Sequence, residues 1–131
     1  MGDKNIDQFK VEVGENNIIH LKLGDLISKD FTILRIWTNK VKRTVITLYN
    51  KTDKKVRTLV DITDIKKYDA EAYLILSKLM QDNEQYTSKT ATFGGNEYII
   101  AAQDILLALS GRTNLKNFKT KEEAINWLIS E

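Results

Sequence analysis

Three aspartates are the strongest candidates for chemistry in this chain. Asp61, Asp64 and Asp69 fall in the run "VDITDIKKYD", at or just beyond the end of an apolar stretch that reads as a central strand. Ligands of α/β sheets collect at that edge, and clustered carboxylates are the donor type that Mg²⁺ takes. Asp69 also has the position of a helix cap. No lysine or Ser/Thr motif of a phosphotransfer site accompanies the three, so structural roles account for them, and neither a metal ligand nor a catalytic residue is assigned. The lone histidine, His20, would need an acid, base or metal partner, and none stands near it in sequence; an ordinary side chain on the wetter face of a strand is expected. A second candidate is Gly94, Gly95 and Asn96, between a strand and a helix, where free backbone N–H groups can receive an anion. A tight turn requires the same glycines equally well.

Several chemistries are missing. The chain has no cysteine, which removes disulfides and thiolate chemistry and fits a reducing cytoplasm. There is no nucleophile elbow, P-loop or dinucleotide fingerprint. No cofactor is expected. Twenty basic and eighteen acidic residues leave a net charge of +2, too small to imply nucleic acid as a partner. The lysine-rich "NKTDKKVR" lacks the interleaved aromatics of a stacking platform. The amino-terminal "MGDKNIDQ" has no apolar core of signal-peptide length and no eighteen apolar residues run together as a membrane span requires, so a soluble, cytoplasmic protein without integral membrane association is expected.

The elements that must position these residues follow from periodicity. A length of 131 residues suits one domain, 1–131, with residues 1–8 expected to be disordered. Proline is absent, where average usage gives about six in such a chain, so turns fall to Gly, Asn and Asp. "FKVEV", "GENN" and "IIHLKL" read as a hairpin, with Ile19, Leu21 and Leu23 on one face and Ile18, His20 and Lys22 on the other. Phe31, Leu34, Trp37, Val41, Val45 and Leu48 then form one stripe of a helix, capped by Ser28 or Asp30. The β-branched content of Thr44–Thr47 leaves a strand open as the alternative for residues 44–50.

"VRTLVDI" is a strand covered on both faces. After it comes a helix capped by Asp69, stapled by Tyr68 and Tyr73, and buried through Ala72, Ile75, Leu76, Leu79 and Met80. "SKTATF" is a strand, Asn96 caps the next helix and Gly111 ends it in the left-handed conformation. "LKNFKT" is the last strand. Thr120 and Glu123 form the capping box of a terminal helix that packs through Ala124, Trp127 and Leu128. The order is ββαβαβαβα: an α/β sandwich with a mixed β-sheet and about four helices.

The segments "LVDITDIKKYDAEA", "ATFGGNEYIIAAQDILLALSGR" and "FKTKEEAINWL", spanning about half the chain, resemble the STAS domains of bacterial anti-sigma-factor antagonists and sulfate-transporter tails. More narrowly, they are similar to small STAS-like or CRAL-TRIO-like bacterial proteins. The resemblance implies a STAS-like sandwich and a regulatory, non-enzymatic role. Antagonists carry Asp-Ser-Ser-Gly where this chain has Asp69, Ala70, Glu71 and Ala72, so the phosphorylatable serine is missing and the kinase switch does not carry over. Glu71 in that place would favour a helix N-terminus by about 0.3–1 kcal/mol. Similarity to CRAL-TRIO-like proteins implies a possible apolar, lipid-like ligand lined by Trp37, Tyr73 or Phe93, although a chain this small has little room for a cavity.

In the apolar helix, the spacing of Tyr98, Ala101, Ala102, Ile105 and Leu109 predicts a face against the sheet, with Gln103 and Asp104 opposite. Ile100 and Leu107 would then face water beside those polar residues. Ile100, Gln103, Asp104 and Leu107 are therefore the expected interaction surface, for a protein partner or a second copy in a homodimer.

Overall fold

The computed structural model describes residues 9–25, 31–67 and 70–130. The expected caps Ser28, Asp30 and Asp69, the staple residue Tyr68 and the segment 1–8 lie outside the described residues. Strands β1 (Lys10–Val13) and β2 (Ile18–Lys22) lead to helix α1 (Phe31–Thr52) and strand β3 (Val56–Asp61). Helix α2 (Ala70–Asn83), strand β4 (Thr87–Phe93), helix α3 (Glu97–Ser110), strand β5 (Leu115–Phe118) and helix α4 (Lys121–Ile129) follow, with a short 3-10 turn at Glu84–Tyr86 between α2 and β4. This is the α/β order read from the sequence.

The hairpin turns through Asn16 and Asn17, both at positive φ, the backbone of a two-residue turn that matches strand twist. Strands β1 and β2 are antiparallel, and every later pairing is parallel, giving the spatial order β1-β2-β3-β4-β5. A sheet that grows in one direction through right-handed parallel crossovers must put all its crossover helices on one face. Helices α1, α2 and α3 accordingly cover one side, over Ile19, Leu21, Val56 and Val60. Helix α4 comes after the last strand and is free of that constraint. It covers the other side, where Ala124 and Leu128 meet Ile18, Leu59 and Ala91. His20 shares this second face, at its thinly covered end beside β1.

Helix α1 includes residues 44–50 and so excludes the strand alternative. Leu34, Trp37, Val41 and Val45 are buried on the expected stripe, with Phe31 and Leu48 packed at its ends. Burying each such side chain contributes roughly 1.5–3 kcal/mol, more than the modest helix penalty of a β-branched residue. The Thr44 hydroxyl is satisfied inside the helix by the Lys40 carbonyl, at 2.8 Å. Trp37 also donates its indole N–H to the Lys10 carbonyl, at 3.1 Å, tying α1 to β1.

Candidate functional site

The expected acidic cluster is spent on local structure. Asp61 accepts a hydrogen bond from the Thr63 amide at 2.9 Å, shaping the turn after β3, and Asp64 forms an ion pair with Lys22 at 3.1 Å. Asp69 lies outside the described residues. No three acids or histidines among the described residues are grouped to hold a metal ion. Gly94 and Gly95 are needed sterically: both have positive φ, and a Cβ at Gly94 would collide with Thr63 Oγ1 and one at Gly95 would sit 2.8 Å from Ile62 Cδ1. Asn96 is the cap of α3, its side chain accepting from the Ile99 amide at 2.8 Å.

Ala70 opens α2, and the neighbouring Glu71 is held by Arg35 of α1 at 2.7 Å. Both partners are substantially exposed, so the pair contributes at most about 1 kcal/mol. His20 stands opposite Glu12 in the β1–β2 register, in a groove with Lys10, Lys22, Asp61 and Lys121. Burial, then the charge of Lys121, hold its pKa below the ordinary histidine value, and Glu12 opposes them.

The expected interaction face of α3 is corrected. The helix is turned by about one residue, ~100°, from the orientation read from its spacing. Ile99, Ala102, Gln103, Leu106 and Ser110 face inward. Of the five residues expected against the sheet only Ala102 is buried, while Tyr98 is 59% exposed, Ile105 49% and Leu109 46%. In the proposed surface, Gln103 is buried and Leu107 is half-buried against the core; Ile100 and Asp104 are exposed. Tyr98, Ala101, Ile105 and Leu109, spaced three, four and four, form the outward stripe. Leu74 of α2 is also 59% exposed but lies in the groove between α1 and α2, apart from this stripe.

What turned the helix is a polar row inside the sheet. Thr58 of β3 and Thr90 and Thr92 of β4 point under the helices, and all three are buried. Thr58 and Thr90 hydroxyls are 2.7 Å apart. Gln103 donates to Thr92 Oγ1 at 2.8 Å, and Thr92 donates to Asn117 at 2.7 Å. A buried amide without such partners would be costly, so Gln103 goes to the threonines and Ile105 goes to water. The periodicity of apolar residues carries no trace of this. The signal available was the pair Thr90 and Thr92 on one face of a strand whose other neighbours are core.

Sequence reasoning also missed Arg112. Only 5% exposed, it donates through Nη2 to Thr90 Oγ1 at 2.8 Å and through Nε to Asn114 Oδ1 at 2.9 Å. No carboxylate among the described residues forms an ion pair with it. Burial pulls its pKa below the usual guanidinium value, which Glu84 partly offsets. Arg112 lines a cavity of about 80 Å³ between the sheet and helices α1–α3. Two further side chains on that wall, Asn83 and Thr87, are buried with Oδ1 and Oγ1 lacking any hydrogen-bond partner.

The apolar end of the cavity includes Trp37, one of the three residues expected around an apolar ligand. Tyr73 is half-buried on α2 outside the cavity wall, and Phe93 faces the opposite layer, against α4. No helix among the described residues is long and apolar enough to cross a membrane. No family model matches the chain, and comparison with curated proteins finds no match.

Proposed function

We propose that this protein is a non-enzymatic, STAS-like interaction module that self-associates through the outer face of α3. The single observation that carries the reading is the outward stripe Tyr98, Ala101, Ile105 and Leu109, which spans about 17 Å at 1.5 Å per residue. Exposed large apolar groups are ordinary when single, but a full stripe along one helix marks a surface meant to be covered. A second copy is the matching occupant. In an antiparallel pair across a two-fold axis, Ala101 of one copy meets Ile105 of the other, and Ala108 meets Tyr98. Each contact thus sets a small side chain against a large one, as a self-complementary interface requires. Asp104 and Glu97 lie on the rim, where charge is tolerated.

By the resemblance to anti-sigma-factor antagonists, Ala70 and Glu71 stand where those proteins carry two serines, one of them phosphorylated, so association in this reading is constitutive rather than switched by a kinase. The solution mass by light scattering tests it. At micromolar concentration the wild type is expected to be a dimer and Ile105→Glu a monomer with an unchanged circular dichroism spectrum. A monomeric wild type would overturn the reading. A second reading, a carrier or sensor of an apolar ligand, is favoured by the cavity beside Arg112.

A further inference from the structure

The environment of Arg112 is unusual because a guanidinium cannot escape burial by losing its proton. A buried cation without an anion is strongly disfavoured, and proteins pair such groups or give them a ligand. Here Nε and Nη2 are directed at Asn114 and Thr90, both neutral acceptors, and the charge itself is unmatched by any ion pair among the described residues. Asn83 Oδ1 and Thr87 Oγ1, each on a nine-tenths buried residue, lack partners on the same cavity wall. Thr87 has a hydroxyl proton to give, and the Asn83 amide presents a donor when rotated by half a turn. Three potential donors therefore line one cavity, whose lining also includes the hydrogen-bonded threonines and Gln103 and, on the apolar side, Leu21, Leu23, Trp37 and Val41.

We propose that this cavity binds a short-chain aliphatic monocarboxylate, its carboxylate against Arg112, Thr87 and Asn83 and its hydrocarbon tail among the leucines, Val41 and Trp37. Charge decides the head group. A monoanion matches the single positive charge, and the planar guanidinium suits a carboxylate. Size decides the tail. A volume of about 80 Å³ is roughly half that of the ~150 Å³ apolar cavity that takes benzene, so the tail is limited to about three carbons and a long lipid chain is excluded. The proposal is independent of self-association, since the cavity lies under α3 and the stripe lies on its outer surface.

The test is a titration of the full-length protein with sodium butyrate, followed by amide NMR and by melting temperature. Sodium chloride at equal ionic strength and the uncharged isostere butyramide serve as controls. Butyrate is expected to bind with a dissociation constant on the order of 1 mM, in line with what a ligand of so few atoms achieves. It should raise the melting temperature and shift the Thr87, Thr90 and Arg112 signals, while butyramide binds about tenfold or more weakly. Arg112→Met should abolish the butyrate response. If that variant does not fold, Thr87→Val and Asn83→Leu, which remove unpartnered polar atoms, should still fold and weaken binding severalfold. Absence of a butyrate response beyond that of sodium chloride, equal responses to butyrate and butyramide, or undiminished binding in the Thr87 and Asn83 variants would overturn the proposal, leaving a cavity filled by water only.

Discussion

Single residues here are governed by neighbours that sequence distance hides. His20 is the only histidine, so one proton NMR signal reports its titration. Burial and Lys121 lower its pKa, with Glu12 opposing; Lys10, Lys22 and Asp61 share the groove. The midpoint should fall below about 6.5, and Lys121→Gln should move it upward. Because the folded state takes up this proton less readily than the unfolded chain, stability is full above the unfolded pKa. It falls as pH drops from there through the folded pKa. In His20→Gln that part of the pH dependence of the melting temperature should vanish. The glycines make a second contrast. Gly111 has positive φ but no atom within 4 Å of an added Cβ, so Gly111→Ala should cost about 1 kcal/mol, the backbone term alone. Gly94→Ala adds the collision with Thr63 and should cost clearly more, as measured by urea denaturation.

At the scale of elements, caps and stripes were legible because their causes are local. Asn96 and Thr120 cap the helices that begin after them, and Gly111 ends α3 in the left-handed conformation. The rotation of α3 was not legible, since it depends on threonines from two strands. Between α1 and α2, Asp82 receives both Lys42 at 3.0 Å and Lys78 at 3.1 Å. Hydrogen bonds from Lys42 and then Lys78 hold its carboxyl below its ordinary pKa. Its contribution is present above the unfolded carboxylate value and is lost as pH falls through the lowered folded value. Asp82→Asn should therefore destabilise by up to about 1 kcal/mol near neutrality and by less at acid pH, read from the difference in urea midpoint.

At the scale of the molecule, the sheet carries three of the described helices on one face and one on the other, and the consequence is an asymmetric surface. The inner layer is closed by α1–α3, and the outermost apolar side chains of that layer, including Ile105 and Leu109, are left at the surface. If two copies cover them, folding and association are linked, and the melting temperature of the wild type should rise with protein concentration while that of Ile105→Glu should not.

The amino-acid sequence by itself determined the elements, their order and the mixed sheet, because hydrophobic period, capping side chains and glycine positions act over a few residues. It also determined which face of β2 packs beneath α1–α3 and which stripe of α1 is buried, since alternation and three-four spacing are properties of the chain alone. Tertiary structure decided the rest. It turned α3 so that Gln103 meets Thr92, assigned Asp61 and Asp64 to a turn and an ion pair, and brought Arg112, Asn83 and Thr87 to one cavity wall. The reason is common to all three: hydrogen bonds and charges are satisfied in space, by partners whose separation along the chain carries no period to read.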